Sequence, residues 1–275
     1  MSATIGAMTI AIGIVLSRRK GVFYVTEEDR GRYAELHSRS ARLYRTGALC
    51  FVGDSSDGQE VVELAHSNLG LARHGAGYQL HQPHPRERDP EASDSPHPLH
   101  RAGIVEVVKD AYEATRERKF RDHVLRRYGL DWETYRNPKA RRAQPDLFKE
   151  LDSLFSDNDL FNVRLLLMGL NGSSRVLEMW DVAFPGVANK VAGNHIAIAS
   201  SQQRGDVEYS TLFGLVLSDE MFKPHKALHT EYGQDVVKRT LKRVLTDTRG
   251  SPASKTEAKL LDAKNKRLEN WEFLL

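Results

Sequence analysis

The chain has 275 residues, of which 40% are hydrophobic and 28% are charged, values that are ordinary for a soluble globular domain. The formal net charge is +3, from 40 basic and 37 acidic residues, and this balance gives no reason to expect a nucleic-acid partner. The single cysteine, Cys50, excludes a disulfide within the chain and a cysteine-based metal site, and it fits a reducing, cytoplasmic location.

The N-terminal segment is mostly apolar as far as residue 16. The positive charges of residues 18–20 follow this apolar run, whereas a signal peptide carries positive charge before it. The run is also too short to cross a membrane as a helix, so we expect no membrane partner. Residues 9–16 are β-branched and apolar and predict a buried strand, which pairs across a polar turn with a second strand at residues 21–26.

A second strand pair follows, at residues 42–44 and 48–52. Residues 58–71 predict a helix that Asp57 could cap, because aspartate is a favoured N-cap residue. The next stretch, residues 81–100, is rich in proline and histidine and predicts a loop. Its histidines match no defined pattern of metal ligands, so we expect no metal site.

Helices continue in the middle of the chain, and a second set of strands follows. Apolar residues repeat at three- and four-residue intervals over residues 104–127 and predict a long helix, and residues 145–155 predict a shorter one. The later predicted elements are strands at residues 163–170 and 176–182 around the turn residues Asn171 and Gly172, a strand at residues 195–200, and helices at residues 207–216 and 234–245.

The order strands, helices, strands, helices predicts an α/β (α+β) fold. Two sheets with helices outside them satisfy this order, and the result is a four-layer αββα sandwich. No internal repeat and no change of composition indicates a second domain. We therefore expect one domain over residues 9–250, with a loop and helical insertion at about residues 74–160, and a charged helical tail at residues 251–275.

Common cofactor and nucleophile motifs are absent from the sequence. There is no Gly-x-Gly-x-x-Gly before a helix and no Walker loop, so nucleotide binding has no support. There is also no His-Glu-x-x-His and no Gly-x-Ser-x-Gly nucleophile elbow. We therefore expect no cofactor.

The first strand block has a distinctive layout. Thr9 follows Met8 at the start of a buried strand, Arg42 opens the third strand, and Gly53 precedes Asp57 by four residues at a strand-to-helix turn. With the segment Leu-Arg-Arg-Tyr-Gly-Leu-Asp-Trp at residues 125–132, this layout resembles proteasome β-type subunits and the bacterial proteasome-like proteins. These belong to the N-terminal-nucleophile (Ntn) hydrolases, and the resemblance spans about residues 8–245.

The resemblance implies the αββα fold of that family and a threonine hydrolase that cleaves peptide or other amide bonds. A threonine hydroxyl is a weak nucleophile, but the α-amino group of an N-terminal threonine can act as its base. The resemblance also implies a homo-oligomer built from a ring or stacked rings. The implied site residues are Thr9 as nucleophile and base, Arg42 at the family's lysine position, Gly53 as oxyanion donor, Glu27 or alternatively Asp29 as the acid after the second strand, and Ser201 in the serine-rich turn after the strand at 195–200.

Residues 1–8 are then either a propeptide or sequence upstream of a true translation start at Met8. Three positions depart from the family pattern: Arg42 replaces a lysine, Glu27 replaces an aspartate, and Ala-Ser-Ser-Gln at residues 199–202 replaces a glycine-serine-glycine turn. Two hypotheses follow, an active threonine hydrolase or a catalytically inactive relative that serves as a self-assembling structural or binding module. A free amine on Thr9 would favour the first, and retention of residues 1–8 would favour the second.

Overall fold

The computed structural model describes residues 9–27, 39–44, 47–73, 101–157, 160–171, 175–199, 235–237, 239–240, 243 and 255–270. Its strands are β1 (Thr9–Val15), β2 (Lys20–Glu27), β3 (Ser40–Tyr44), β4 (Gly47–Gly53), β5 (Val163–Leu170), β6 (Leu177–Ala183), β7 (Val187–Lys190), β8 (His195–Ala199), β9 (Lys255–Asp262) and β10 (Arg267–Asn270). Its helices are α1 (Ser55–Arg73), α2 (Arg101–His123), α3 (Trp132–Arg136), α4 (Pro138–Ala143) and α5 (Pro145–Phe155), with a 3₁₀ turn at Leu125–Tyr128.

Two five-stranded antiparallel sheets contain these strands. Sheet A has the order β10-β9-β2-β1-β8, and sheet B has the order β3-β4-β5-β6-β7. The predicted hairpin of the first two strands is confirmed, since Thr9 pairs with Glu27 and Val15 pairs with Gly21. The mixed α/β class, with two antiparallel sheets and helices, is therefore confirmed.

Sheet B is buried on both faces. Leu49, Phe51 and Leu165 face the helices α1 and α2. Cys50 and Leu166 alternate with them and pack against sheet A, as expected when successive side chains of a strand point to opposite faces. Burial on both faces explains why these strands read as continuous apolar runs in the sequence.

Sheet A is also covered on the face that points away from sheet B. Ala11 packs in the layer between the sheets, so Ile10, Ile12 and Ile14 point to the opposite side, and all three are completely buried. Residues 235–237 are helical, as predicted for 234–245, and Val236 and Val237 are buried. The predicted helix at residues 207–216 lies outside the described residues.

The predicted helical insertion contains a small hydrophobic cluster of its own. Residues Phe120 and Leu125 pack there with Tyr135, Phe148 and Leu151. Asp131 caps α3 by accepting a hydrogen bond of 2.6 Å from the backbone N–H of Thr134. The break at Gly129 has a left-handed φ of 66°, which a glycine adopts without strain.

The C-terminal tail was predicted to be helical, and this prediction is wrong. Residues 255–270 form the β9–β10 hairpin instead. β9 pairs with β2 along its whole length, from Lys20 opposite Asp262 to Glu27 opposite Lys255. The hydrogen-bonding edge of β2 and the burial of Leu261 therefore override the local helical propensity of the charged residues.

Two smaller expectations also change. The cap of α1 is Asp54 and not Asp57, because the Asp54 carboxylate accepts hydrogen bonds from the backbone N–H groups of Ser56 and Asp57 at 2.9 and 3.0 Å. Strand β7 was not predicted. Within the described ranges, no helix is long and apolar enough to cross a membrane.

Candidate active site

Thr9 starts β1 at a point where the ends of three strands meet. It is 1% exposed and pairs with Glu27, the last residue of β2. On the other side of β1, Ile10 pairs with Ala199, the last residue of β8. The register therefore places the predicted nucleophile beside the end of β2 that carries the predicted acid. The other acidic candidate, Asp29, and the predicted turn residue Ser201 lie outside the described residues.

Gly53 forms a tightly held turn between β4 and α1. Its φ is 100°, and a Cβ atom placed on it would lie 1.8 Å from the carbonyl oxygen of Asn162. The next residue, Asp54, donates its backbone N–H to that same oxygen at 2.9 Å. The Gly53 carbonyl accepts a hydrogen bond of 3.0 Å from Nη1 of Arg39. The orientation of the peptide units around Gly53 is therefore defined from both sides, and only glycine fits.

The contacts between the sheets show how β1 lies over β5. A Cβ placed on Gly13 would lie 2.6 Å from Cδ2 of Leu166. A Cβ placed on Gly21, which pairs with Val15, would lie 2.1 Å from Sδ of Met168. Gly13 of β1 therefore lies at the level of Leu166 of β5, and Val15, two residues further along β1, lies at the level of Met168, two residues further along β5. The two strands thus run in the same direction.

This common direction brings three of the predicted site residues to one end of the sandwich. Thr9 is the first residue of β1, and Val163 is the first residue of β5. Gly53 pairs with Val163 across the β4–β5 ladder. Thr9, Glu27 and the Gly53 turn therefore lie at the same end of the two sheets.

Arg42 lies toward the other end. It is exposed and pairs with Ala48, which is five residues before Gly53 on β4 and therefore about 17 Å from it at roughly 3.4 Å per residue. Ala48 in turn pairs with Met168, at the level of the β1–β2 hairpin. The structure brings Thr9, Glu27 and Gly53 to one end and does not bring Arg42 there.

Arg39 is a cation that donates directly to the Gly53 carbonyl, and the sequence reasoning missed it. It is 7% exposed, and its guanidinium lies 5.5 Å from the centroid of the Phe51 ring. Its carbonyl accepts the backbone N–H of Phe51 at 3.0 Å, which extends the β3–β4 pairing by one step beyond Ser40. Counting this register outward from Gly47 would have placed Arg39 opposite Phe51, and so closer to Gly53 than Arg42.

A second charged feature at this end was also missed. Arg164 pairs with Val52 and is therefore adjacent to Gly53 in the ladder. Its Nε and Nη2 donate to the two carboxylate oxygens of Asp181 at 2.8 and 2.7 Å. Alternation along β5 places this ion pair on the face toward sheet A, where Leu166 is its apolar neighbour. The signal in the sequence was the presence of opposite charges, Arg164 and Asp181, within two largely apolar strands.

Charged groups also surround the start of α1. Lys119 of α2 forms an ion pair with Asp57, and burial raises the pKa of the Asp57 carboxyl, although the ion pair opposes this shift. Burial likewise opposes ionisation of Asp54, but the backbone N–H of Asp57, the Ser56 hydroxyl and the Lys119 charge together lower the pKa of Asp54. The carboxylates of Asp54 and Asp57 and the ammonium group of Lys119 from α2 therefore lie together at the N-terminus of α1.

In the part of the chain that the structure describes, no group of three or more histidine, cysteine, aspartate or glutamate residues could hold a metal ion. The histidines of residues 81–100 lie outside it. In comparisons with known proteins, no family model matches the chain and no curated protein matches it.

Chemically, this end of the sandwich combines a threonine hydroxyl with fixed backbone groups at a strand-to-helix turn. Two guanidinium groups lie close to Gly53: that of Arg39 donates to the Gly53 carbonyl, and that of Arg164 is paired with the Asp181 carboxylate. Neither can act as a proton acceptor, because arginine does not lose its proton in proteins. A base for the Thr9 hydroxyl would have to come from another group.

Proposed function

We propose that the chain is a proteasome-like Ntn hydrolase that cleaves peptide or other amide bonds with Thr9 as its nucleophile. The observation that supports this proposal is the placement of Thr9 at the head of a buried strand, at the same end of the two sheets as the Gly53 turn. In this proposal the fold is the four-layer αββα sandwich of that family. The buried outer face of sheet A supports it, because a helical layer there would complete the four layers.

The proposed reaction requires Thr9 to be the first residue of the mature chain. Its α-amino group, a type of group whose pKa is about 8 in short peptides, takes the proton from the Thr9 hydroxyl as the oxygen attacks the amide carbon. The tetrahedral intermediate breaks the C–N bond, and the ammonium group returns the proton to the leaving amine. Water then hydrolyses the ester on Thr9, with the same amine as base, and releases the acid product.

The Gly53 turn supplies electrostatic stabilisation in this proposal. Its backbone N–H would donate to the oxyanion that develops on the substrate carbonyl. Arg39 holds the same turn through the Gly53 carbonyl, and Glu27 would interact with the Thr9 amine. Arg42 has no role in this chemistry, so the function of the family's lysine passes to the α-amine for proton transfer and to Arg39 for positive charge.

A second candidate is a non-catalytic relative that keeps the fold and assembles with copies of itself. The observation that favours it is that Arg42, the residue predicted at the family's lysine position, lies toward the other end of the sheets, and that the side chain donating to the Gly53 carbonyl is an arginine, Arg39. In both candidates we propose a homo-oligomer, a ring or stacked rings, in the cytoplasm and with no nucleic-acid partner. Most soluble homo-oligomers are closed and symmetric, so analytical ultracentrifugation should detect one defined species larger than a monomer.

The test uses the full chain and a chain that begins at Met8, from which removal of the initiator methionine exposes Thr9. Intact mass identifies which N-terminus each preparation has. Each is then incubated with an epoxyketone and with a β-lactone, and the labelled residue is located by mass spectrometry. Labelling at Thr9, lost in Thr9→Ala and retained in part in Thr9→Ser, is the expected result.

Arg39→Lys and Arg42→Lys form a matched pair of variants for the same assay. Arg39→Lys changes the side chain that donates to the Gly53 carbonyl and should alter the labelling rate. Arg42→Lys should not, because Arg42 pairs with Ala48, five residues before Gly53 on β4. No labelling of any Thr9-terminated chain would leave the non-catalytic candidate. Labelling at another residue would show that the site is placed wrongly.

A further inference from the structure

The Gly53 turn is held from a third side by helix α2. Lys119, in the last turns of α2, forms an ion pair with Asp57, and its side chain is 24% exposed against 9% for the aspartate. The backbone N–H of Asp57 donates to Oδ1 of Asp54 at 3.0 Å, and the backbone N–H of Asp54 donates to the carbonyl of Asn162. A continuous chain of bonds therefore runs from Lys119 to the residue after Gly53.

Close packing against β4 restricts movement of the first turn of α1, so a change at Asp57 also moves its neighbours. Gly58 lies against the ring of Phe51, so closely that a Cβ there would be 2.2 Å from Cδ2 of the ring. The backbone N–H of Gly58 donates to the carbonyl of Asp54 at 3.0 Å. The first turn of α1 is thus fixed against β4, and a displacement of Asp57 must be accompanied by a displacement of Asp54 and the adjacent Gly53 peptide.

The charges at this turn give Lys119 a second effect. A helix N-terminus carries partial positive charge, which favours an anion that develops nearby. Asp54 and Asp57 place two carboxylates at the N-terminus of α1 and oppose that effect. Lys119 interacts with both carboxylates and offsets their charge.

We propose that Lys119 is a positioning residue for the reaction at Thr9, acting through Asp57 and Asp54 on the Gly53 oxyanion donor. This inference rests on the proposed function. Lys119 does not touch the reacting atoms in this scheme. It sets the orientation of the Gly53 peptide and removes negative charge from the place where the oxyanion forms.

Arg118 provides a matched control, because it is the neighbouring residue of α2 and makes a similar ion pair. Its partner is Glu60, one helical turn further from Gly53. Both pairs join α1 to α2, but of the two acidic partners it is Asp57 whose own backbone N–H donates to Asp54, the residue after Gly53. Arg118→Met should therefore weaken the contact between the helices without affecting the oxyanion donor.

The kinetic test measures acylation of Thr9 by a β-lactone, separating the affinity of the probe, KI, from the rate constant of the covalent step, kinact. Lys119→Met should lower kinact about tenfold with little change in KI, less than the loss of roughly 10²–10³ that follows removal of an oxyanion donor. Lys119→Arg, which keeps the charge, should recover most of the rate. Arg118→Met should match the wild type. A rise in KI with unchanged kinact, or equal losses in Lys119→Met and Arg118→Met, would overturn the inference.

Hydrogen exchange of the full chain tests the positioning without any need for activity. Amides of residues 53–58 should exchange faster in Lys119→Met and not in Arg118→Met, while circular dichroism confirms that both variants fold. Unchanged exchange in Lys119→Met would overturn the positioning. A wild type that never labels at Thr9 would refute the proposed function, and exchange alone would then decide whether Lys119 holds the turn.

Discussion

Replacing Gly53 with alanine should destabilise the folded chain by about 3 kcal/mol or more. Its φ of 100° is a conformation that costs a residue with a Cβ about 1–3 kcal/mol. The added Cβ would also lie 1.8 Å from the carbonyl oxygen of Asn162, so the two backbones must separate. Separation breaks the 2.9 Å hydrogen bond from the Asp54 N–H to the same oxygen, at a further cost of about 1 kcal/mol.

Two other glycines separate the effects of conformation and contact. Gly129 has a φ of 66°, and a Cβ placed there would meet nothing within 4 Å, so Gly129→Ala should cost only the conformational strain, about 1–2 kcal/mol. Gly169 has ordinary backbone angles and equally open surroundings, so Gly169→Ala should change stability by no more than about 0.5 kcal/mol.

Urea unfolding of the full chain, followed by circular dichroism, measures all three variants. The expected order of destabilisation is Gly53→Ala, then Gly129→Ala, then Gly169→Ala. A Gly53→Ala variant no less stable than Gly129→Ala would mean that the contact with Asn162 is absent and that the reasoning is incorrect. If the order holds, loss of activity in a Gly53 variant cannot be attributed to a lost oxyanion donor, and substitution of Thr9 is the cleaner test of the chemistry.

Two other predictions concern the charged pair in the inter-sheet layer and the helical insertion. Asp181→Leu leaves the Arg164 guanidinium without its carboxylate, and Arg164→Met leaves the carboxylate without its partner, so each should cost about 2 kcal/mol or more in urea unfolding, whereas the double variant Arg164→Met/Asp181→Leu should be close to the wild type. Additive losses in this double-mutant cycle would show that the two charges do not interact. Burial and the hydrogen bond to Asp152 raise the pKa of Tyr135 to about 12, above its value near 10 in an unfolded chain. The unfolded chain therefore loses this proton first, so stability should fall as pH rises from 10 to 12, and the fall in melting temperature should be smaller in Tyr135→Phe; an equal fall would contradict the assignment.

The buried strands of both sheets could be predicted from the sequence, because burial on both faces leaves apolar runs such as residues 9–16 and 165–170. The long helix α2 could be predicted because its apolar residues repeat at helical spacing. The β9–β10 hairpin could not be predicted in the same way. Its residues are charged and favour helix locally, and the strand forms because it completes the edge of β2, a tertiary contact that has no local signal.

The candidate site was predictable in part for the same reason. Thr9 and Gly53 stand at a strand start and a strand-to-helix turn, and both positions follow from local sequence. The identity of the cation near Gly53 does not follow from local sequence, because choosing between Arg39 and Arg42 requires the register of β3 against β4. An error of a few residues in register moves a side chain along the strand by about 3.4 Å per residue, enough to remove it from a site.

Whether Thr9 has a free α-amino group decides whether the proposed reaction can occur. Arg39 and Arg164 cannot accept the proton of the Thr9 hydroxyl, because arginine keeps its proton in proteins. In the proposed reaction only the α-amino group of Thr9 can do so. When Met8 is still attached, that nitrogen belongs to a peptide bond and is not basic. In the proposed reaction the chain is therefore inactive while the Met8–Thr9 bond is intact. A mature chain that retains Met8 would rule out the hydrolase, and a mature chain that begins at Thr9 would have to label at Thr9 to support it.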